Sequence, residues 1–126
     1  MSSFILHLLQ GKNPVIYGSG AKRRDFVYID DINDFHLQAI YDERTDGKVF
    51  NLGSGENYSV QEIFEKIKHL LSSPLKPIYL PDLPGEAEST LACVKEAKTL
   101  GWTPKTSLDE GLKLSIQFIK ERVLCK

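Results

Sequence analysis

Between Tyr17 and Asp31 the chain reads Tyr17-Gly18-Ser19-Gly20-Ala21-Lys22-Arg23-Arg24-Asp25-Phe26-Val27-Tyr28-Ile29-Asp30-Asp31, a basic glycine loop set between two apolar runs and followed by a helix start. Glycine lets a backbone approach a ligand closely, and a guanidinium beside a rigid strand offers a planar, permanent cation in a geometry that suits phosphate oxygens. The stretch reads as an anion site with Lys22, Arg23 and Arg24 as its cations; the competing reading is a solvated loop tip. Further along, Leu83-Pro84-Gly85-Glu86 offers a carboxylate able to accept hydrogen bonds from paired hydroxyls such as those of a ribose.

Other chemistries find little support. His7, His36 and His69 fall on expected helices with no serine or cysteine in a nucleophile context, so no hydrolase triad can be assigned. Asp30, Asp31 and Asp34 gather at a helix start, where capping and dipole stabilisation account for them without a metal ion. Gly18-x-Gly20 and Gly53-x-Gly55 each lack the third glycine of a dinucleotide fingerprint, and Gly53-Ser54-Gly55 reads as a strand-to-helix loop.

Composition sets the frame for these residues. A length of 126 residues suits one module, and 41% apolar with 26% charged residues excludes a disordered chain. Sixteen basic against 17 acidic residues give a formal charge of -1, so no global field recruits nucleic acid or an anionic membrane, and any anion site is local. Cys93 and Cys125 lie outside metal-ligand or Cys-x-x-Cys spacing and read as reduced thiols of a cytoplasmic protein. The apolar run at residues 4–9 is broken by His7 and is far shorter than a membrane span.

The elements that must hold the site follow from periodicity. Phe4, Ile5, Leu8 and Leu9 share one face of a short helix over 3–10 that Gly11 stops; its shortness and its early start suggest a chain beginning inside a larger fold. Val15-Ile16-Tyr17 and Phe26-Val27-Tyr28-Ile29 predict two strands paired as a hairpin around the glycine loop. Asp30 or Asp31 then caps a helix with Ile32, Phe35, Ala39 and Ile40 inward, Asp46-Gly47 turns, and 48–52 forms a strand. Ser59-x-x-Glu62 is a capping box ahead of Val60, Ile63, Phe64, Ile67, Leu70 and Leu71. Ile78-Tyr79-Leu80 is a short strand, 81–90 a loop, and two helices finish the chain, near 93–100 and from a second capping box, Ser107-x-x-Glu110. The mixed order predicts an α/β layered piece.

In order along the chain, Pro14-Val15-Ile16-Tyr17-Gly18-Ser19-Gly20, Arg24-Asp25-Phe26-Val27-Tyr28-Ile29-Asp30-Asp31 and Phe50-Asn51-Leu52-Gly53-Ser54-Gly55 are followed by Pro84-Gly85-Glu86 and Leu100-Gly101-Trp102-Thr103-Pro104. This series resembles the extended short-chain dehydrogenase/reductases that act on nucleotide sugars, above all the C-terminal part of the UDP-glucose 4-epimerase-like group and its dehydratase relatives. The resemblance implies the substrate-binding lobe of an extended Rossmann-type epimerase over 1–126, with the last strand and helix of the dinucleotide-binding sheet and without the N-terminal Rossmann half. It implies Arg24 on the diphosphate, Glu86 on the ribose hydroxyls, and Tyr17 and Val60 bordering a uracil pocket. Leu83 departs from the pattern, standing where the family carries a second diphosphate arginine; the loss implies weaker binding, or a shift of the task to another group such as Lys22 or Arg23.

The resemblance further implies NAD as the cofactor of the full-length enzymes, hydride transfer at sugar C4 through a 4-ketose, and a UDP-hexose as substrate. The glycine-rich NAD loop and the Tyr-x-x-x-Lys pair are absent here, so no catalytic residue is assigned and no NAD is expected on this chain alone. A 4,6-dehydratase or reductase lobe, or a free-standing nucleotide-binding or interaction module, are the alternatives. An exposed sheet edge left by the missing half is expected to favour self-association.

Overall fold

The computed structural model describes residues 1–124; Cys125 lies outside them. Helix α1 (Ser2–Leu9) buries Phe4, Ile5 and Leu8. Strand β1 (Val15–Tyr17) and strand β2 (Arg23–Asp25) follow, then helix α2 (Ile29–Tyr41). Strand β3 (Asn57–Ser59) runs directly into helix α3 (Val60–Leu70). Strand β4 (Ile78–Leu80), helix α4 (Lys95–Thr99) and helix α5 (Leu108–Ile119) complete the regular elements, with a π-helical turn at Lys120–Leu124.

The strands do not form the expected hairpin. β1 pairs in parallel with β4, Ile16 opposite Tyr79, and β2 pairs antiparallel with β3, Arg24 opposite Tyr58. Gly18 and Gly20, at φ of 70° and 80°, turn the chain out of β1 before β2 begins, a conformation that costs glycine little. Phe26, expected in a strand, packs instead against the main core. Tyr28 lies against Gly111 of α5, where an added Cβ would sit 3.3 Å from the ring, so the segment serves packing and not a ladder. Residues 48–52 form no strand either: Phe50 and Leu52 pack inward while Val49 is 87% exposed, and among the described residues no neighbouring strand pairs with them.

Two apolar clusters organise the chain. The larger joins α1, β1, α3 and α5 around Phe64, Ile5, Ile16 and Leu112, with Phe4 meeting Phe64 edge-on at 5.9 Å. α3 forms as expected, its Ser59 and Glu62 exchanging both capping-box hydrogen bonds. At α5 only one half of the second box is made, Glu110 N to Ser107 Oγ at 3.3 Å. The smaller cluster holds Phe35, Val94, Ala97 and Trp102.

Neither Asp30 nor Asp31 caps α2 through its side chain; the N-cap is Tyr28. Asp31 is buried and does other work. Its carbonyl accepts from Trp102 Nε1 at 2.8 Å, and its carboxylate accepts from the amides of Lys105 at 3.0 Å and Thr106 at 3.1 Å. The aspartate thus ties the approach to α5 onto α2. Ile40, expected inward, is 69% exposed.

Candidate nucleotide-binding cleft

Side chains alternate across an extended strand, so Lys22 and Arg24 share one side of the β2 segment and Arg23 takes the other. Arg23 is consumed structurally: its guanidinium donates to Asn57 Oδ1 at 2.9 Å, to the Asn57 carbonyl at 2.6 Å and to Glu62 at 3.1 Å. Lys22 and Arg24 instead line a cavity of about 290 Å³, together with Tyr17 at the end of β1, Val60 at the start of α3 and Glu86 from the loop after β4. The structure brings Tyr17, Arg24, Val60 and Glu86 onto one concave surface.

The two cations of that surface differ. Arg24 Nη1 donates to the Arg23 carbonyl at 2.8 Å, and among the described residues Arg24 makes no ion pair. A guanidinium without a carboxylate partner keeps the donor fork that phosphate oxygens fill. Lys22 is buried and paired with two carboxylates, its ammonium donating to Asp82 and, at 2.9 Å, to Glu86. Hydrogen bonding to Asp82, then to Glu86, raises the lysine above its ordinary range; Lys22 in turn holds the Asp82 carboxyl below the usual carboxylate value. Sequence reasoning named Lys22 as a cation but missed Asp82, because a partnership across a separation of 60 positions leaves no local signal. Leu83 is 42% exposed and absent from the cavity wall.

The second glycine loop is closed to an outside anion. The amides of Ser54 at 2.8 Å and Gly55 at 3.2 Å donate to the Asp25 carboxylate, which also accepts from Ala92 N at 3.2 Å. A Cβ on Gly53 would fall 2.5 Å from both Ala92 Cβ and Asp25 Oδ2. The loop wraps an internal carboxylate, so it does not fit the pyrophosphate of a dinucleotide. A larger cavity of about 460 Å³ between α1, the start of α2 and α5 is lined by Leu6, Tyr28, Ile29, Phe118, Ile119 and three serines, without a charged side chain. Of these two cavities, the smaller is the one lined by charged side chains. Among the described residues no group of three or more His, Cys, Asp or Glu could hold a metal ion, and no helix is long and apolar enough to cross a membrane.

Fold and cleft together define an α/β piece built around a pocket with one unpaired arginine and one loop carboxylate. Residues 1–53 match the family model described as NAD dependent epimerase/dehydratase family. The chain is 34% identical to a UDP-glucose 4-epimerase of Thermotoga maritima whose structure was solved with UDP-glucose, covering 94% of this chain and 38% of that one at a TM-score of 0.89. A UDP-glucuronic acid 4-epimerase of Bacillus cereus, solved with UDP-glucuronic acid and NAD, is 30% identical over 94% of this chain and 38% of its own, with a TM-score of 0.88. A UDP-glucuronic acid decarboxylase 1 of Danio rerio is 32% identical over 98% of this chain. The match to the NAD dependent epimerase/dehydratase family model lies in residues 1–53, and over nearly its whole length the chain is similar to these UDP-sugar enzymes, of which it spans under two fifths.

Proposed function

We propose that the chain is the nucleotide-sugar-binding lobe of an NAD-dependent UDP-sugar epimerase, with hydride transfer at sugar C4 carried out by residues and cofactor outside it. One observation carries the reading: Arg24, without a carboxylate partner, shares a cavity with Glu86, Tyr17 and Val60. Arg24 binds the diphosphate, Glu86 accepts from the ribose hydroxyls, and Tyr17 and Val60 flank the base. The nucleotide is the handle by which remote contacts place the sugar ring, so this lobe contributes binding and orientation and not chemistry of its own. Exposed Leu37, Ile40 and Tyr41 on α2, beside the unpaired segment 48–52, favour docking of the Rossmann half on that face and self-association where it is missing. We place the protein in the cytoplasm on the reading of Cys93, a free exposed thiol, as reduced.

Calorimetric titration of the chain with UDP tests the reading. Binding is weak, and Arg24→Ala lowers affinity by about tenfold or more, the value of a charge-assisted hydrogen bond pair, with stability unchanged within about 0.5 kcal/mol. Equal affinity in that variant rejects Arg24 as the phosphate ligand.

A further inference from the structure

Glu86 stands on a stretch, 81–87, that no regular element holds. It lies outside every helix and strand, each of its residues is exposed, and among the described residues no backbone hydrogen bond ties it to another segment. Its limits are fixed, by Gly18 N to the Leu80 carbonyl at 2.9 Å on one side and Arg23 N to the Glu88 carbonyl at 2.9 Å on the other. Between those limits, among the described residues, one group from outside the loop makes polar contact with its side chains: Lys22 Nζ, bonded to Asp82 Oδ1 and to Glu86 Oε2. Gly18 makes room for this arrangement, since a Cβ there would meet the Asp82 carboxylate at 3.1 Å.

Lys22 is a firm anchor. Its side chain is buried, and its carbonyl accepts from Val60 N at 2.9 Å, locking its backbone to the start of α3. An unanchored loop residue gives up about 1–2 kcal/mol of backbone entropy when it is fixed in one conformation, so a ligand bound by a loose Glu86 would have to supply that ordering itself. The lysine meets the cost in advance. It engages Oε2, and among the described residues Oε1 has no protein donor, which leaves that oxygen to accept from a ligand.

We propose that Lys22 is a positioning residue whose ammonium fixes Glu86 at the cavity wall, so that selectivity for a nucleotide with a vicinal diol over its deoxy analogue depends on Lys22. The inference rests on the nucleotide-binding reading above and adds a division of labour: Arg24 takes the phosphates, whereas Lys22, already neutralised by two carboxylates, acts through Glu86 on the sugar.

The test titrates the ¹⁵N-labelled chain, followed by amide shifts, with UDP, uridine and 2′,3′-dideoxy-UDP. The native chain prefers UDP over the dideoxy compound by about tenfold, as expected for hydrogen bonds to a charged acceptor. Lys22→Met brings that preference close to unity while UDP is still favoured over uridine, and Lys22→Arg restores it. Glu86→Asp, an exposed change that leaves Lys22 in place, keeps the charge but shortens its reach; it loses the preference too, and decides the matter if Lys22→Met does not fold. An intact diol preference in Lys22→Met overturns the inference and leaves the nucleotide reading standing; an intact one in Glu86→Asp overturns the inference together with the ribose role given to Glu86. Absence of any response to UDP in the native chain overturns that reading and the inference with it.

Discussion

Two loops of this chain carry the same Gly-Ser-Gly pattern and end in opposite situations. Gly18-Ser19-Gly20 leads from β1 toward Lys22 and Arg24, beside a cavity in which, among the described residues, no carboxylate pairs with Arg24. Gly53-Ser54-Gly55 presents its amides to a carboxylate that the protein itself supplies, Asp25. The switch between them is one residue on β2, since Arg24 and Asp25 are consecutive and point to opposite sides of the strand. Glycine spacing permits close approach, and the neighbouring side chains decide whether the approaching anion is internal or a ligand.

That contrast can be attacked at each loop. Gly53→Ala forces a Cβ into contact with Ala92 and Asp25 at 2.5 Å; crowding of this kind should cost about 3 kcal/mol in urea unfolding, and a loss below 1 kcal/mol would mean the loop is not built around its carboxylate. Gly18→Ala meets a milder obstacle, a φ of 70° and the flexible end of Asp82 at 3.1 Å. A loss of about 1–2 kcal/mol is expected from the left-handed backbone, together with changed amide chemical shifts across 81–87 as Asp82 is pushed from Lys22.

The smallest effect is one of pH. Lys22 lowers the folded-state pKa of Asp82 below its unfolded value, so the stabilising contact is complete above pH about 3.9 and is lost as pH falls through the lowered value. Amide chemical shifts across 81–87 should therefore stay flat down to about pH 4 and move only below it. A change beginning near pH 6 would dissociate the loop from this ion pair.

Local signals were legible and distant ones were not. Ser59-x-x-Glu62 specified α3 because a capping box closes within one turn, and Gly11 marked a real stop just past α1. The partner of β1 lies at Ile78–Leu80, so a hairpin with the adjacent apolar run was the natural and mistaken reading. Asp31 read as a cap, yet its carboxylate serves amides at Lys105 and Thr106, a service only the folded chain reveals. Residues 48–52 have strand composition, with Phe50 and Leu52 inward, but a ladder requires a neighbour to exchange hydrogen bonds. Tyr17, Arg24, Val60 and Glu86, named from residue types and the family resemblance, line one cavity, while the bond from Lys22 to Asp82 and Glu86 came from tertiary structure alone.

The central claim is that the first glycine loop, and not the second, borders the nucleotide cleft. Mapping of UDP-induced amide shifts on the labelled chain measures this directly. Perturbations gathered at Tyr17, Lys22, Arg24, Val60 and Glu86, with Gly53, Ser54 and Gly55 silent, are the predicted result; shifts centred on residues 53–55, or none along 17–24, would contradict it.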